Sequence, residues 1–195
     1  MYELPISVTI SGVEHPIRNK GDFRVVLDCF DALADVELDK EYRTLSSLII
    51  FYEELTDIES VFEVFSEDDV IKAVDEMNRF FNCGQDDSPG MKVPYKLVDW
   101  NKDEHLIMSA INNVAKKEIR LEPYVHWWTF TGYYLAIGES AFANVVGIRA
   151  KMMKQEKLEK YERKFIAENP DYFNWKSKTP EQEAEDAEIL GLWNS

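Results

Sequence analysis

Cysteine is scarce: Cys29 and Cys83 are the only two in 195 residues, and they form no CxxC pair. Their apolar neighbours make buried thiols the expectation, and no disulfide is expected in a reducing compartment. Phosphate-cradling glycine loops are missing, since neither GxGxxG nor GxxxxGK followed by Ser or Thr occurs. The GxSxG nucleophile elbow is missing too. The three histidines, His15, His105 and His126, stand far apart with no Cys or carboxylate at metal-ligand spacing. No metal site, cofactor or catalytic residue is therefore expected. No apolar run approaches the roughly 18–20 residues that span a bilayer. The opening MYELPISVTIS lacks the basic flank and apolar core of a signal peptide, so cytoplasmic residence without a membrane partner is expected. Bases are outnumbered, 22 against 37 acids, for a net charge of −15. Such a body repels nucleic acid, and no nucleic-acid partner is expected.

What is present starts with the placement of that charge. Residues 53–76 carry ten acids against Lys72 alone, a local −9, with Glu63, Glu67 and Asp68 among them. Residues 149–164 carry seven bases against three acids, a local +4, with Lys157, Lys160 and Lys164 among them. Both segments read as solvated helix faces, or as surfaces for head-to-tail self-association or a basic protein partner. Those six residues are the candidate contact surface.

With hydrophobic residues at 45%, the chain can bury a sizeable core. ISVTI and VEHPI flank Ser11-Gly12 as a hairpin, with Ile6, Val8 and Ile10 on one face and Val13 and Ile17 returning. Asp22 caps a helix with Phe23, Val26, Leu27, Phe30 and Leu33 inward. Asp39 opens a second, with Tyr42, Leu45, Ile49 and Tyr52 inward. TDIESVFEVF reads as a connection. Ser66 and Asp69 then box the start of a helix carrying Val70, Val74, Met77 and Phe81, which ends at Gly84. The segment 84–97 reads as a loop and a candidate sub-domain boundary.

Asp99 is the expected cap of a helix with Leu106, Ala110, Ile111 and Val114 inward. Ser140 caps another, with Phe142, Val145, Val146 and Met153 on its face, and KQEK interrupts it. Leu158, Tyr161 and Phe165 mark a short amphipathic helix that stops before Pro170. Arg149 is expected at the edge of the core, paired with a carboxylate. Thr179-Pro180 opens an acidic tail helix. The expected class is mainly α: one helical bundle-like domain over 1–170 with a small N-terminal β-hairpin, then an acidic tail over 171–195.

PYVHWWTFTGYYLAIGES, residues 123–140, is dense in aromatics. It reads as a core helix, a protein-docking surface, or a ligand or nucleic-acid platform. On a helix, Trp127, Phe130, Tyr134 and Ile137 form one stripe, and Tyr124, Trp128 and Leu135 its neighbour. That broad face suits a helix packed on two sides, with Gly132 admitting another helix. No Arg or Lys interleaves the aromatics, as base stacking would require. Trp127, Trp128, Phe130 and Tyr134 are the candidate core. His126 is expected to pack its ring on a neighbouring helix and hydrogen-bond through one nitrogen.

HWWTFTGYYLAIGESAFANVVGIRAKMM and the following KLEKYERKF resemble the C-terminal half of the bacteriophage gene-product-fifteen proteins of siphophages and prophages of Firmicutes. LPISVTISGVEHPI, DFRVVLDCFDAL and VDWNKDEHLIMSAI are also similar, so the resemblance spans roughly residues 3 to 168. Departures fall in QDDSPGMKVP and in the tail after Pro170. The family's genes lie between those of the major tail protein and the tape measure protein. The resemblance implies a non-catalytic tail assembly chaperone that coats the tape measure protein, recruits tail-tube subunits, and leaves before the virion matures. It would act in the bacterial cytoplasm and self-associate. The rivals are a structural tail component retained in the virion and a small phage enzyme or host-targeting factor.

Overall fold

The N-terminal hairpin follows from alternation around a glycine turn. Strands β1 (Ser7–Ile10) and β2 (Val13–Pro16) pair antiparallel, with Ile10 opposite Val13 and Val8 opposite His15. Gly12, at φ +85°, supplies the left-handed backbone that the tight turn needs. A computed structural model describes residues 3–85 and 97–174 of the chain. The expected loop at 84–97 and the tail helix after Thr179 lie largely or wholly outside those residues. Eight α-helices follow the hairpin among the described residues, so the chain is mainly helical, as the sequence indicates. They fall into two compact units, one of residues 3–85 and 124–130, the other of residues 97–123 and 131–174.

The first unit contains α1 (Phe23–Ala34), α2 (Lys40–Phe51), α3 (Ile58–Val64) and α4 (Glu67–Phe81). Asp22, Asp39 and Ser66 cap α1, α2 and α4 through side-chain oxygens that accept Arg24, Tyr42 and Asp69 backbone N–H groups. Phe23, Val26, Leu48, Phe51, Tyr52, Met77 and Phe80 are buried in its core. Phe30 is half-buried and rests edge-on against Phe81.

Local chemistry revises several expectations. TDIESVFEVF is not a plain connection, because Asp57 and Ser60 form a reciprocal capping box that nucleates α3. Tyr42 is exposed, and Arg43 is buried beside it with Nε donating to the Leu38 carbonyl; Leu45 and Leu48 carry the inner face. In the hairpin, Ile10, His15 and Ile17 are buried while Ile6 and Val13 are exposed on that same face. A twisted two-stranded ribbon presents a diagonal of its face to what it packs on, and its corners stay in water.

The second unit contains α5 (Glu104–Ala115), α7 (Ala141–Met153) and α8 (Lys160–Glu168). Between α5 and α7, α6 (Trp127–Leu135) begins in the first unit and ends in the second. Val145, Ile148 and Phe173 form the buried cluster of the second unit, with Leu106, Leu158, Phe165 and Ile166 around it. Ser140 caps α7 by accepting the Ala143 N–H. Asp99 caps only a preceding turn, through the Asn101 and Lys102 N–H groups, so α5 starts four residues later than a cap there implies. Met153 and Tyr161 are exposed rather than inward. The α8 capping box turns Glu162 inward instead, where it accepts the Glu159 N–H at 2.7 Å and Lys151 Nζ at 2.6 Å.

Candidate functional site

The aromatic segment holds the first unit together through hydrogen bonds as well as packing. Trp127 Nε1 donates to the Phe81 carbonyl and Trp128 Nε1 to the Phe80 carbonyl, each at 2.9 Å. Two successive indoles thereby add side-chain donors to carbonyls in the last turn of α4, where the Phe80 carbonyl also accepts the Cys83 N–H. Trp127 and Phe130 are buried, with Phe130 stacked on Phe23 at 4.4 Å between ring centres. Trp128 and Tyr134 are half-buried. Tyr134 packs in the second unit against Trp100 and Phe142. Tyr124 and Leu135 are exposed, and a methyl group built on Gly132 meets nothing within 4 Å. The helix is buried at its start only, and among the described residues no neighbour uses Gly132 for close approach.

Two glycines do carry close contacts. Gly84 has φ +76°, and a Cβ there would lie 2.9 Å from the Trp128 ring. Gly21 has φ +75°, and a Cβ there would lie 2.6 Å from the Phe80 ring. Both positions need a left-handed backbone and the absence of a side chain.

Each histidine is engaged. His126 hydrogen-bonds the Pro5 carbonyl through Nε2, accepts the Trp128 N–H at Nδ1 and packs edge-on against Phe80. Its burial holds the imidazole below the ordinary histidine range, against the opposing pull of the Pro5 carbonyl and the Asp22 carboxylate. His15 pairs with Glu54 beside the Phe65 ring. His105 hydrogen-bonds the Tyr172 hydroxyl. The Cys29 thiol is buried, donates to the Ser47 carbonyl, and is pushed up to about 12 by desolvation. A thiol so suppressed is a poor nucleophile. No group of three or more His, Cys, Asp or Glu is arranged to hold a metal among the described residues.

Two buried or half-buried arginines organise backbone. Arg18 donates to the carbonyls of Ile49, Ile50, Tyr52 and Leu55, closing the end of α2. Arg149 meets Asp103 in a two-pronged pair at 2.6 and 2.9 Å and also donates to the Leu97 and Tyr172 carbonyls. Sequence reading missed Arg18 and the identity of the Arg149 partner. Neither has a local signal, because the partners lie 23 to 52 residues away.

The six candidate contact residues all lie at the surface. Glu63 sits on α3, and Glu67 and Asp68 open α4. Lys160 and Lys164 lie on α8, and Lys157 precedes it. The acidic trio belongs to the first unit and the basic trio to the second. Only Lys164 forms an ion pair among the described residues, with Glu168 one helical turn on at 3.6 Å. Nearby Asp69 is different: Lys72, Ser11 and Ser66 hydrogen-bond its carboxylate and hold it far below the usual carboxylate range.

The fold and these surfaces define a mainly helical, acidic protein with opposite charges sorted onto separate helices. None of its helices is long and apolar enough, among the described residues, to cross a membrane. A family model described as Bacteriophage Gp15 protein matches residues 1–173, and the chain belongs to that phage family. Comparison with curated proteins and with solved structures finds no match.

Proposed function

We propose that this protein is a non-catalytic tail assembly chaperone, which binds the phage tape measure protein and helps recruit tail-tube subunits. Membership of the Gp15 family carries the reading, through the resemblance that sets its members beside the tape measure protein. Exposed apolar residues ringed by charge, such as Phe62 among the acids of α3, are suited to covering apolar stripes on a long helical client. A tape measure left unshielded would aggregate through those stripes. In this reading the protein acts in the host cytoplasm and leaves before the virion is complete.

Co-expression with the neighbouring tape measure protein tests the proposal. The tape measure should become soluble only when this chain is present and should co-purify with it. A tape measure equally soluble alone would sink the chaperone role. Mass spectrometry of purified virions addresses retention: the chaperone reading expects the chain to be absent, and stoichiometric presence would favour a structural tail component.

A further inference from the structure

On α3, Glu59, Phe62 and Glu63 follow i, i+3, i+4 spacing, and all three side chains are exposed, Phe62 by 54%. On α4, Glu67, Ile71 and Asp75 repeat the pattern at i, i+4, i+8, with Ile71 exposed by 65%. Each helix thus turns a large apolar side chain outward between carboxylates. The α8 region carries the opposite arrangement. Lys160, Arg163 and Lys164 share one exposed face, with Tyr161 beside them exposed by 64%; Met153, at the end of α7, is exposed by 54%. Glu162, the acid between those bases, is turned inward and bound by Lys151, so it does not dilute the positive face.

We infer that the α3–α4 face of one copy docks on the α7–α8 face of a second copy of this chain. Apolar side chains inside a charged border make up the anatomy of a protein interface, and here border and counter-border carry opposite signs. Among the described residues, Glu63, Glu67 and Asp68 make no ion pair, nor do Lys157 and Lys160. The two faces are different surfaces, so the contact pairs unlike patches: it closes reciprocally into a two-fold dimer or propagates head-to-tail into a ring or filament, and the measured mass separates these outcomes. This inference concerns the chain alone and stands or falls separately from tape measure binding.

Light scattering coupled to size-exclusion chromatography on the full chain tests it. The wild type should exceed the 22.8 kDa of one chain, with a mass that rises with concentration. That mass should fall at least twofold in about 1 M salt, where the Debye length shrinks to about 3 Å. The variant K157E/K160E/K164E and the variant E63K/E67K/D68K should each run as single chains. An equimolar mixture should regain higher mass, because each variant now presents two like faces that complement the other's. A wild type that stays at 22.8 kDa, or variants that keep the wild-type mass, would overturn the inference. So would a mixture that fails to recover. If a variant does not fold, the wild type decides: an assembly insensitive to salt also overturns it.

Discussion

The two compact units hold themselves together by different chemistry. The first is an aromatic core in which Phe23, Phe130, Trp127 and Phe81 pack, with indole N–H groups bonded to the end of α4. The second has an apolar cluster around Val145, Ile148 and Phe173 and a buried Arg149–Asp103 pair. Apolar packing tolerates imperfect direction and is roughly additive in area. A buried ion pair is directional, and its loss leaves a charge with nowhere to go. The units should therefore fail differently.

The largest effects should be similar in size and opposite in character. Phe130→Ala should cost about 3–5 kcal/mol through the cavity it leaves. Asp103→Ala should cost about 3–5 kcal/mol by stranding the Arg149 guanidinium. Adding Arg149→Met should recover much of the Asp103 loss, whereas no charge change should rescue Phe130→Ala. Denaturant midpoints of the three variants measure this, and a double variant no better than Asp103→Ala would remove the contrast.

Gly84→Ala comes next, at about 1–2 kcal/mol for a left-handed alanine, with a further cost because the Trp128 ring lies 2.9 Å from the new methyl. Thermal melts monitored by tryptophan fluorescence should show it. Ser140→Ala in the second unit should cost about 1 kcal/mol for one lost cap, read by the same melts.

The smallest effect is a pH dependence. His126 is held below its ordinary range, so the unfolded chain takes up the proton first. Its contribution is full above the ordinary histidine value and is lost as pH falls through the folded value. The stability gap between wild type and His126→Asn should therefore narrow from pH 7.5 to pH 5. A gap that widens would mean that the imidazole is charged in the folded state.

How much of this was readable depended on range. Asp22, Asp39, Ser66 and Ser140 announced their helices because a cap and the N–H it accepts lie within three residues. The two charged segments were plain for the same reason. α3 was hidden because seven residues are too few for an apolar period to show, though its Asp57–Ser60 box was there to be read. Tyr161 and Glu162 exchanged their expected roles because a capping box outweighed hydropathy. The Trp127 and Trp128 bonds to α4 and the Arg149–Asp103 pair left no local trace, since they join residues 46 to 48 positions apart. Of the candidate contact surface, composition supplied the charge but not the outward turn of Phe62, Ile71 and Tyr161.

The indole bonds at the end of α4 have a consequence for synthesis on the ribosome. The chain is in the first unit through residue 85, is in the second by residue 97, and returns to the first at residue 124. Until Trp128 has cleared the exit tunnel, the Phe80 and Phe81 carbonyls lack their indole donors and Phe23 lacks the ring stacked on it. The N-terminal elements can therefore form early, but they cannot close. A nascent chain stalled before that point should remain sensitive to protease, and protection should arise abruptly once Phe130 emerges.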